Sequence, residues 1–158
     1  MGFDGRSLSG RMGGDIVYGD VVGHWVGERV RGGYDTSHSQ AIGLSRSGVL
    51  VGGVIYEQCN GASVVCHIAV DGRLTPEFLF VIFDYPFRQL GVKKIIVPVA
   101  RTNTKSVRFV ARMGFVEVAC LPDAHPTGDI LLFMMDSKEC RFIGEKYGKR
   151  FPRPSRNS

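Results

Sequence analysis

Three consecutive apolar stretches in the middle of the chain constrain the fold more than any other feature. They are predicted strands at 40–45, 49–57 and 63–70. Ser47-Gly48 separates the first two, and Asn60-Gly61, a dipeptide typical of hairpin turns, separates the last two. Because the connections are short, this segment is predicted to form an antiparallel meander.

The apolar period changes on both sides of this meander. Asp15–Tyr18 is predicted to be a short strand or a lead-in segment, and a helix is predicted to start at Asp20, as its cap, and to run to Val30. After the meander, Thr75-Pro76-Glu77 supplies the cap, the first-turn proline and the acid of a helix start. Further along we predict a strand at 93–99, a helix at 103–113, strands at 115–121 and 129–135, and a turn-rich loop at 123–128.

The residue pattern also predicts burial, strand pairing and domain bounds. The strand at 93–99 is almost entirely apolar, which is typical of a central strand buried on both faces, and Pro98 predicts interrupted pairing. The helix at 103–113 is expected to place Val107, Val110 and Ala111 inward and Lys105, Arg108 and Arg112 outward. The element order predicts one mixed α/β domain at 15–143, with flexible termini at 1–14 and 144–158.

Composition bounds the class of protein. The chain has 158 residues, 44% hydrophobic and 22% charged, which is typical of one globular domain. No apolar run approaches the roughly 20 residues that span a bilayer, and the first residues lack a secretory signal. We therefore expect a cytoplasmic protein without membrane contact. The four cysteines form no CxxC pair and are interpreted as reduced, mostly buried thiols rather than a zinc site or a disulfide framework.

The positive charge is concentrated at the end of the chain. The formal net charge is +5, and residues 144–158 contain five cations against one acid. The rest of the chain is therefore close to neutral. We interpret the tail as a solvated terminus, and weak contact with nucleic acid is the alternative.

The turn from 70 to 76 is the first candidate site. A helix N-terminus offers free N–H groups and a partial positive charge, which suit phosphate groups. Gly72 allows close backbone approach and Arg73 adds a cation. A plain strand-to-helix turn is the alternative interpretation.

The segment from Asn103 to Phe115 is the second candidate, and it reads N-x-x-S-x-R-F-x-x-x-x-G-F. It resembles the closing motif of GNAT N-acetyltransferases, in the variant of the ribosomal-protein and N-terminal acetyltransferase branch. The predicted element order fits that fold: a central, mostly antiparallel sheet flanked by helices. The stretches 83–87, 90–92, 126–129 and 139–142 are similar to small GNAT-like proteins of bacteriophages, which implies a host cytoplasm. The resemblance covers roughly residues 15–143.

The resemblance implies acetyl-CoA as acyl donor, without a metal, and assigns binding residues. Backbone N–H groups hold the pyrophosphate, here those of Asp71, Gly72, Arg73, Leu74 and Thr75. The pantetheine arm pairs with the strand end, here Ile68, Ala69 and Val70, and Asn103 contacts the pantetheine or the adenosine phosphate. Two positions depart from the family. The sequence DGRLTP replaces the Arg/Gln-x-x-Gly-x-Gly/Ala loop, and Val110 stands where many members have a tyrosine that protonates the leaving thiolate.

His67 is the predicted catalytic base. It lies on the proposed cofactor strand, on the face opposite Cys66 and Ile68, and histidine changes charge near neutral pH. A core histidine bonded to a backbone carbonyl is the alternative. Glu57 is a second candidate base, with a solvated strand end as the alternative. Ser106 is a candidate for a hydrogen bond to the donor sulfur, with a first-turn helix residue that bonds a backbone group as the alternative.

The acceptor side is less defined. His125 and Asp129 are candidates for an acceptor groove, with ordinary loop polarity as the alternative. Four aromatic residues are candidates for its border, with core packing as the alternative: Tyr18, Trp25, Tyr34 and Tyr85.

Three function hypotheses follow. The first is an N-acetyltransferase that moves the acetyl group of acetyl-CoA to a primary amine by direct attack. The second is a GNAT-like modifier of a nucleic-acid base, and the third is a non-catalytic module with the GNAT fold. The sequence leaves open whether the acceptor is a small molecule, a protein or a modified base, and whether the chain forms a homodimer.

Overall fold

The computed structural model describes residues 14–144 and residue 147. The predicted flexible termini, including the basic tail, lie outside this part apart from Gly14, Gly144 and Tyr147. Tyr147 contacts the folded body, because its hydroxyl donates to the carbonyl oxygen of Pro76 at 2.9 Å. None of the described helices combines the length and the apolar character needed to cross a membrane.

Within the described residues, seven strands form one sheet in the order β1-β2-β3-β4-β5-β7-β6. The strands are β1 (Asp15–Tyr18), β2 (Gln40–Arg46), β3 (Val49–Glu57), β4 (Ser63–Val70), β5 (Lys94–Ala100), β6 (Val116–His125) and β7 (Gly128–Asp136). The α-helices are α1 (Asp20–Val30), α2 (Pro76–Asp84) and α3 (Thr104–Met113). A π-helical turn (Tyr85–Gln89) follows α2, and two 3₁₀ turns (Ser137–Glu139 and Arg141–Ile143) follow β7. The predicted mixed α/β fold with a mostly antiparallel sheet is confirmed, and β4–β5 is the parallel pair.

Side chains cap two of the three described α-helices. Thr75 Oγ1 accepts a hydrogen bond from the N–H of Phe78 at 3.1 Å, so it caps α2 as predicted. Asn103 Oδ1 accepts from the N–H of Ser106 at 3.2 Å and caps α3. The predicted cap of α1 is wrong: Gly19 is the cap, and Asp20 is already the first helical residue.

Two glycines let α1 lie directly on the sheet. Gly43 on β2 and Gly53 on β3 are register partners. A Cβ at these positions would lie 2.8 Å from Val22 and 2.7 Å from Val26, and both valines are fully buried. Side chains at the two glycines would therefore lift α1 from the sheet. This packing places the end of α1 close to the end of β4.

Helices α2 and α3 pack against the opposite face and bury the larger core. That core includes Phe78, Phe80, Val97, Val110 and Phe133. The prediction that β5 is buried on both faces is wrong. Ile95, Val97 and Val99 are buried, while the residues between them are half-buried, because α1 packs over β1 to β4 and leaves this part of the sheet uncovered.

Three further expectations need correction. The predicted loop at 123–128 is largely strand: β6 continues to His125, which pairs with Gly128. Asp129 Oδ1 also accepts from the N–H of Asp123 at 3.0 Å, which ties the two strands together. Ala111 was expected inward but is exposed. The thiols are evenly divided rather than mostly buried, since Cys66 and Cys140 are buried and Cys59 and Cys120 are exposed; all four are free.

Candidate active site

The sheet opens between its two parallel strands. Strands β4 and β5 pair over only three residue pairs, from Ser63–Lys94 to Val65–Ile96. Beyond this point β4 stays paired with β3 as far as Val70, and β5 stays paired with β7 as far as Ala100. The two strands therefore separate, and in the described part of the chain no strand pairs with the inner edge of either one. Pro98 lies in the separated part of β5, where interrupted pairing was expected.

A cavity of about 750 Å³ occupies this opening, a size typical of small-molecule sites. Its walls are the end of α1, the separated ends of β4 and β5, helix α3 and the β6–β7 turn. The predicted site residues that line it are His67, Ile68, Val70, Asn103 and Ser106. Ala69 does not, because it packs beneath α1 with Val22 and Val26.

The turn after β4 differs from the expected phosphate site. The N–H groups of Asp71 and Gly72 both donate to the carbonyl oxygen of Val51, at 2.8 and 3.0 Å. The Asp71 carboxylate accepts from Arg29 Nε at 2.9 Å. Two of the predicted donors are therefore already bonded, and the carboxylate beside them is paired with Arg29. None of the residues from Asp71 to Thr75 lines the cavity.

The other residues of this turn have structural contacts. Leu74 packs so closely on β3 that a Cβ at Gly52 would lie 2.6 Å from its Cδ2 atom. Thr75 caps α2 through its hydroxyl. Arg73 is exposed.

His67 forms a hydrogen bond with Glu57 on the neighbouring strand. Nε2 of His67 lies 2.6 Å from Oε1 of Glu57, and both side chains are about one quarter exposed, at 24% and 25%. The β3–β4 register places Ile55 opposite His67, which makes Glu57 its diagonal neighbour on the same face. From the sequence, Glu57 was only a separate candidate base. The predicted hairpin between these strands was the signal that could have brought the two residues together.

The pair orients the imidazole ring. A carboxylate only accepts hydrogen bonds, so Glu57 assigns the proton to Nε2 of His67. Nδ1 then keeps its lone pair and is able to accept a proton. This arrangement is that of an oriented general base at the edge of the cavity.

Two neighbouring side chains are unsuited to proton or acyl transfer. Val110 lines the cavity but is apolar and 1% exposed, so it supplies no proton to a leaving group. Cys66 precedes His67 and points to the opposite face, where it is 2% exposed. Burial raises the pKa of the Cys66 thiol well above its usual value, so it stays protonated and is a poor nucleophile.

On the acceptor side, the structure brings in one of the predicted polar residues. His125 lines the cavity, and its Nδ1 lies 2.8 Å from Thr127 Oγ1. Asp129 instead pairs with Arg101 at 2.9 Å. No group of three or more potential metal ligands occurs among the residues that the structure describes.

The four candidate aromatic residues do not line the cavity: Tyr18, Trp25, Tyr34 and Tyr85. The ring of Tyr34 lies against Gly23 of α1, and its hydroxyl donates to Asp20. Burial and this hydrogen bond raise the pKa of Tyr34 to about 12. The core-packing alternative therefore fits Tyr34 better than a role at the cavity.

The seven-stranded mixed sheet with flanking helices has the fold of GNAT acetyltransferases. A putative acetyltransferase from Salmonella typhimurium, yncA, solved with acetyl-CoA, is 16% identical and aligns over 80% of this chain and 95% of its own, with a TM-score of 0.60. A spermidine N-acetyltransferase from Vibrio cholerae, SpeG, is 21% identical over 72% of this chain and 70% of its own, with a TM-score of 0.56.

A ribosomal-protein alanine acetyltransferase from Vibrio fischeri is 15% identical over 66% of this chain and 65% of its own, with a TM-score of 0.55. No protein-family model matches the chain, and no curated protein is significantly similar to it in sequence. At these identities the similarity establishes the fold.

Proposed function

We propose that this protein is an N-acetyltransferase that moves the acetyl group of acetyl-CoA to a primary amine by direct attack. The observation that carries the proposal is the opening between β4 and β5, where unpaired strand edges line a cavity beside an oriented histidine. The solved acetyltransferases with the same fold support it.

The residues present fit an acyl-CoA. The inner edge of β4 at His67 to Val70 offers backbone groups to the amides of a pantetheine arm, which would pair with it as a short strand does. Ile68, Val97 and Val99 line the same opening and suit its methylene groups. Asn103 and Ser106 lie at the start of α3 on the cavity wall and supply polar groups.

The donor supplies an activated acyl thioester, and the protein supplies orientation and a base. Nδ1 of His67 takes the proton of the amine as its nitrogen bonds to the carbonyl carbon, and the bond from that carbon to sulfur breaks. Glu57 stabilises the positive charge that forms on His67. Val110 cannot donate a proton to the leaving thiolate. A thiolate is a good leaving group near neutral pH, and it takes its proton from water.

The role of Glu57 gives a testable prediction. Glu57→Gln keeps the shape of the side chain but removes the charge that orients and stabilises protonated His67. We expect turnover to fall by less than the about 10²–10⁴-fold attributed to a general base, with acetyl-CoA affinity unchanged. Steady-state kinetics with direct acetyl-CoA titration measure both quantities. Wild-type turnover in Glu57→Gln would contradict the role of the pair.

Ligand binding gives a second prediction, which separates catalytic and non-catalytic hypotheses at their first step. Acetyl-CoA at 100 times its dissociation constant should stabilise the fold by about 2.7 kcal/mol and raise the melting temperature. Thermal unfolding with and without acetyl-CoA measures the shift, and equal concentrations of ATP serve as a phosphate-bearing control. An unchanged midpoint would contradict acetyl-CoA binding and leave the non-catalytic module as the better hypothesis.

The acceptor, the bacteriophage resemblance, the cytoplasmic location and the homodimer remain predictions. Spermidine is the substrate in the name of one structural neighbour and ribosomal protein in that of another, so the fold accommodates acceptors of different classes. A screen of polyamines, peptides, aminoglycosides and modified nucleosides tests them side by side. The basic tail, on which nucleic-acid contact was predicted, lies outside the described residues.

A further inference from the structure

The phosphates of the acyl donor need a binding site, and the turn after β4 is poorly suited to it. The N–H groups of Asp71 and Gly72 are bonded to Val51, and the Asp71 carboxylate projects from the same turn. A phosphate there would lose two of the expected backbone donors.

Cationic side chains gather on the cavity walls instead. Helix α3 contributes Lys105, Arg108 and Arg112, whose spacings of three and four residues place them on one side of the helix. Arg31, which ends α1, lies on the opposite wall. No aspartate or glutamate is among the described residues that line the cavity.

Arg29 differs from the other cations that line the cavity. Arg29 also lines the cavity, but its Nε donates to the Asp71 carboxylate, which balances its charge. Its guanidinium stacks at 3.8 Å over the ring of Trp25. The side chains of Arg31, Lys105 and Arg108 are exposed, and no carboxylate of the described residues pairs with them. The cavity therefore carries a surplus of positive charge in a chain whose predicted domain is close to neutral.

We infer that the phosphates of the acyl donor are bound by side-chain cations on the two cavity walls, Lys105 and Arg108 on α3 and Arg31 at the end of α1, and not by the backbone of the 71–75 turn. The inference rests on the proposed function and deepens it. Charge-assisted bonds from lysine and arginine to phosphate replace the backbone donors that the turn has lost. Because these cations are exposed, donor affinity should fall steeply with added salt.

The double variant Lys105→Ala/Arg108→Ala tests the inference by calorimetric titration with two probes, acetyl-CoA and S-acetylpantetheine, which lacks the phosphates. We expect acetyl-CoA affinity to fall about 10- to 100-fold at low salt and S-acetylpantetheine affinity to stay unchanged. Lys93→Ala/Lys138→Ala removes the same charge from exposed positions outside the cavity and should bind both probes as the wild type does. Arg31→Ala, on the opposite wall, is expected to show the same selectivity for acetyl-CoA.

The outcomes separate the inference from the proposed function. Wild-type acetyl-CoA affinity in the double variant would overturn the inference and leave the proposed function intact. Equal losses for both probes would also overturn it, because the side chains would then act on the cavity rather than on phosphates. Failure of the wild-type protein to bind acetyl-CoA would overturn both. Melting temperatures of all variants, matched to the control pair, show that the fold is retained.

Discussion

Replacing His67 with alanine is expected to lower turnover by about 10²–10⁴-fold, the usual contribution of a positioned general base. The variant loses Nδ1, the nitrogen left with a lone pair when Glu57 holds Nε2 at 2.6 Å. The acyl donor should bind normally, because the backbone of β4 and the cations of α3 are untouched. The expected signature is therefore a loss in kcat without a loss in acetyl-CoA affinity, measured by kinetics and by titration.

His38 provides a matched control for this experiment. It too lies close to a carboxylate, with Nδ1 at 2.8 Å from Asp35 Oδ2, but its side chain is 83% exposed and does not line the cavity. His38→Ala should keep wild-type turnover. If His67→Ala also turns over at the wild-type rate, His67 is not the base. In His67→Ala, Glu57 could then be tested as the base by adding Glu57→Gln.

The second large effect is on stability. Phe83, at 2% exposed, stacks on Phe142 with ring centres 4.9 Å apart and planes 8° apart, and it also lies against Phe115. It therefore joins α2, the residue before β6 and the last 3₁₀ turn in one core. Phe83→Ala should cost about 3–5 kcal/mol, from lost burial plus the cavity that remains. Urea denaturation should show a lower midpoint with an unchanged slope.

Phe83→Leu is the control, since it keeps an apolar side chain and leaves a smaller void. Its urea denaturation midpoint should lie between those of the wild type and Phe83→Ala. Equal midpoints for Phe83→Ala and wild type would show that the neighbouring rings close the void without loss. Retained acetyl-CoA binding in Phe83→Leu would separate this stability effect from the binding site, which Phe83 does not line.

Local signals predicted the parts of the fold that depend on local chemistry. Thr75 caps the helix it was expected to cap, because its side-chain oxygen bonds an N–H only three residues away. Asn103 caps α3 in the same way, although the helix was predicted to begin at this residue. Strands β3 and β4 have their predicted bounds, because β-branched and aromatic residues run between turn signals. The prediction of a loop at 123–128 was wrong. The N–H of Asp123 bonds to Asp129 and His125 pairs with Gly128, which extends β6 through a segment with turn-like composition.

The candidate site also combines features that local sequence predicts with features that depend on tertiary contacts. Local sequence was enough to predict three side chains of the site: a histidine and two hydroxyl or amide residues at 67, 103 and 106, all of which line the cavity. The contacts of these side chains depend on how distant parts of the chain come together. The His67–Glu57 pair depends on strand register, and the bonds from Asp71 and Gly72 to Val51 depend on how the chain leaves the sheet. The cationic walls depend on bringing α1 and α3 to one opening, residues more than 70 positions apart, and no local pattern encodes that approach.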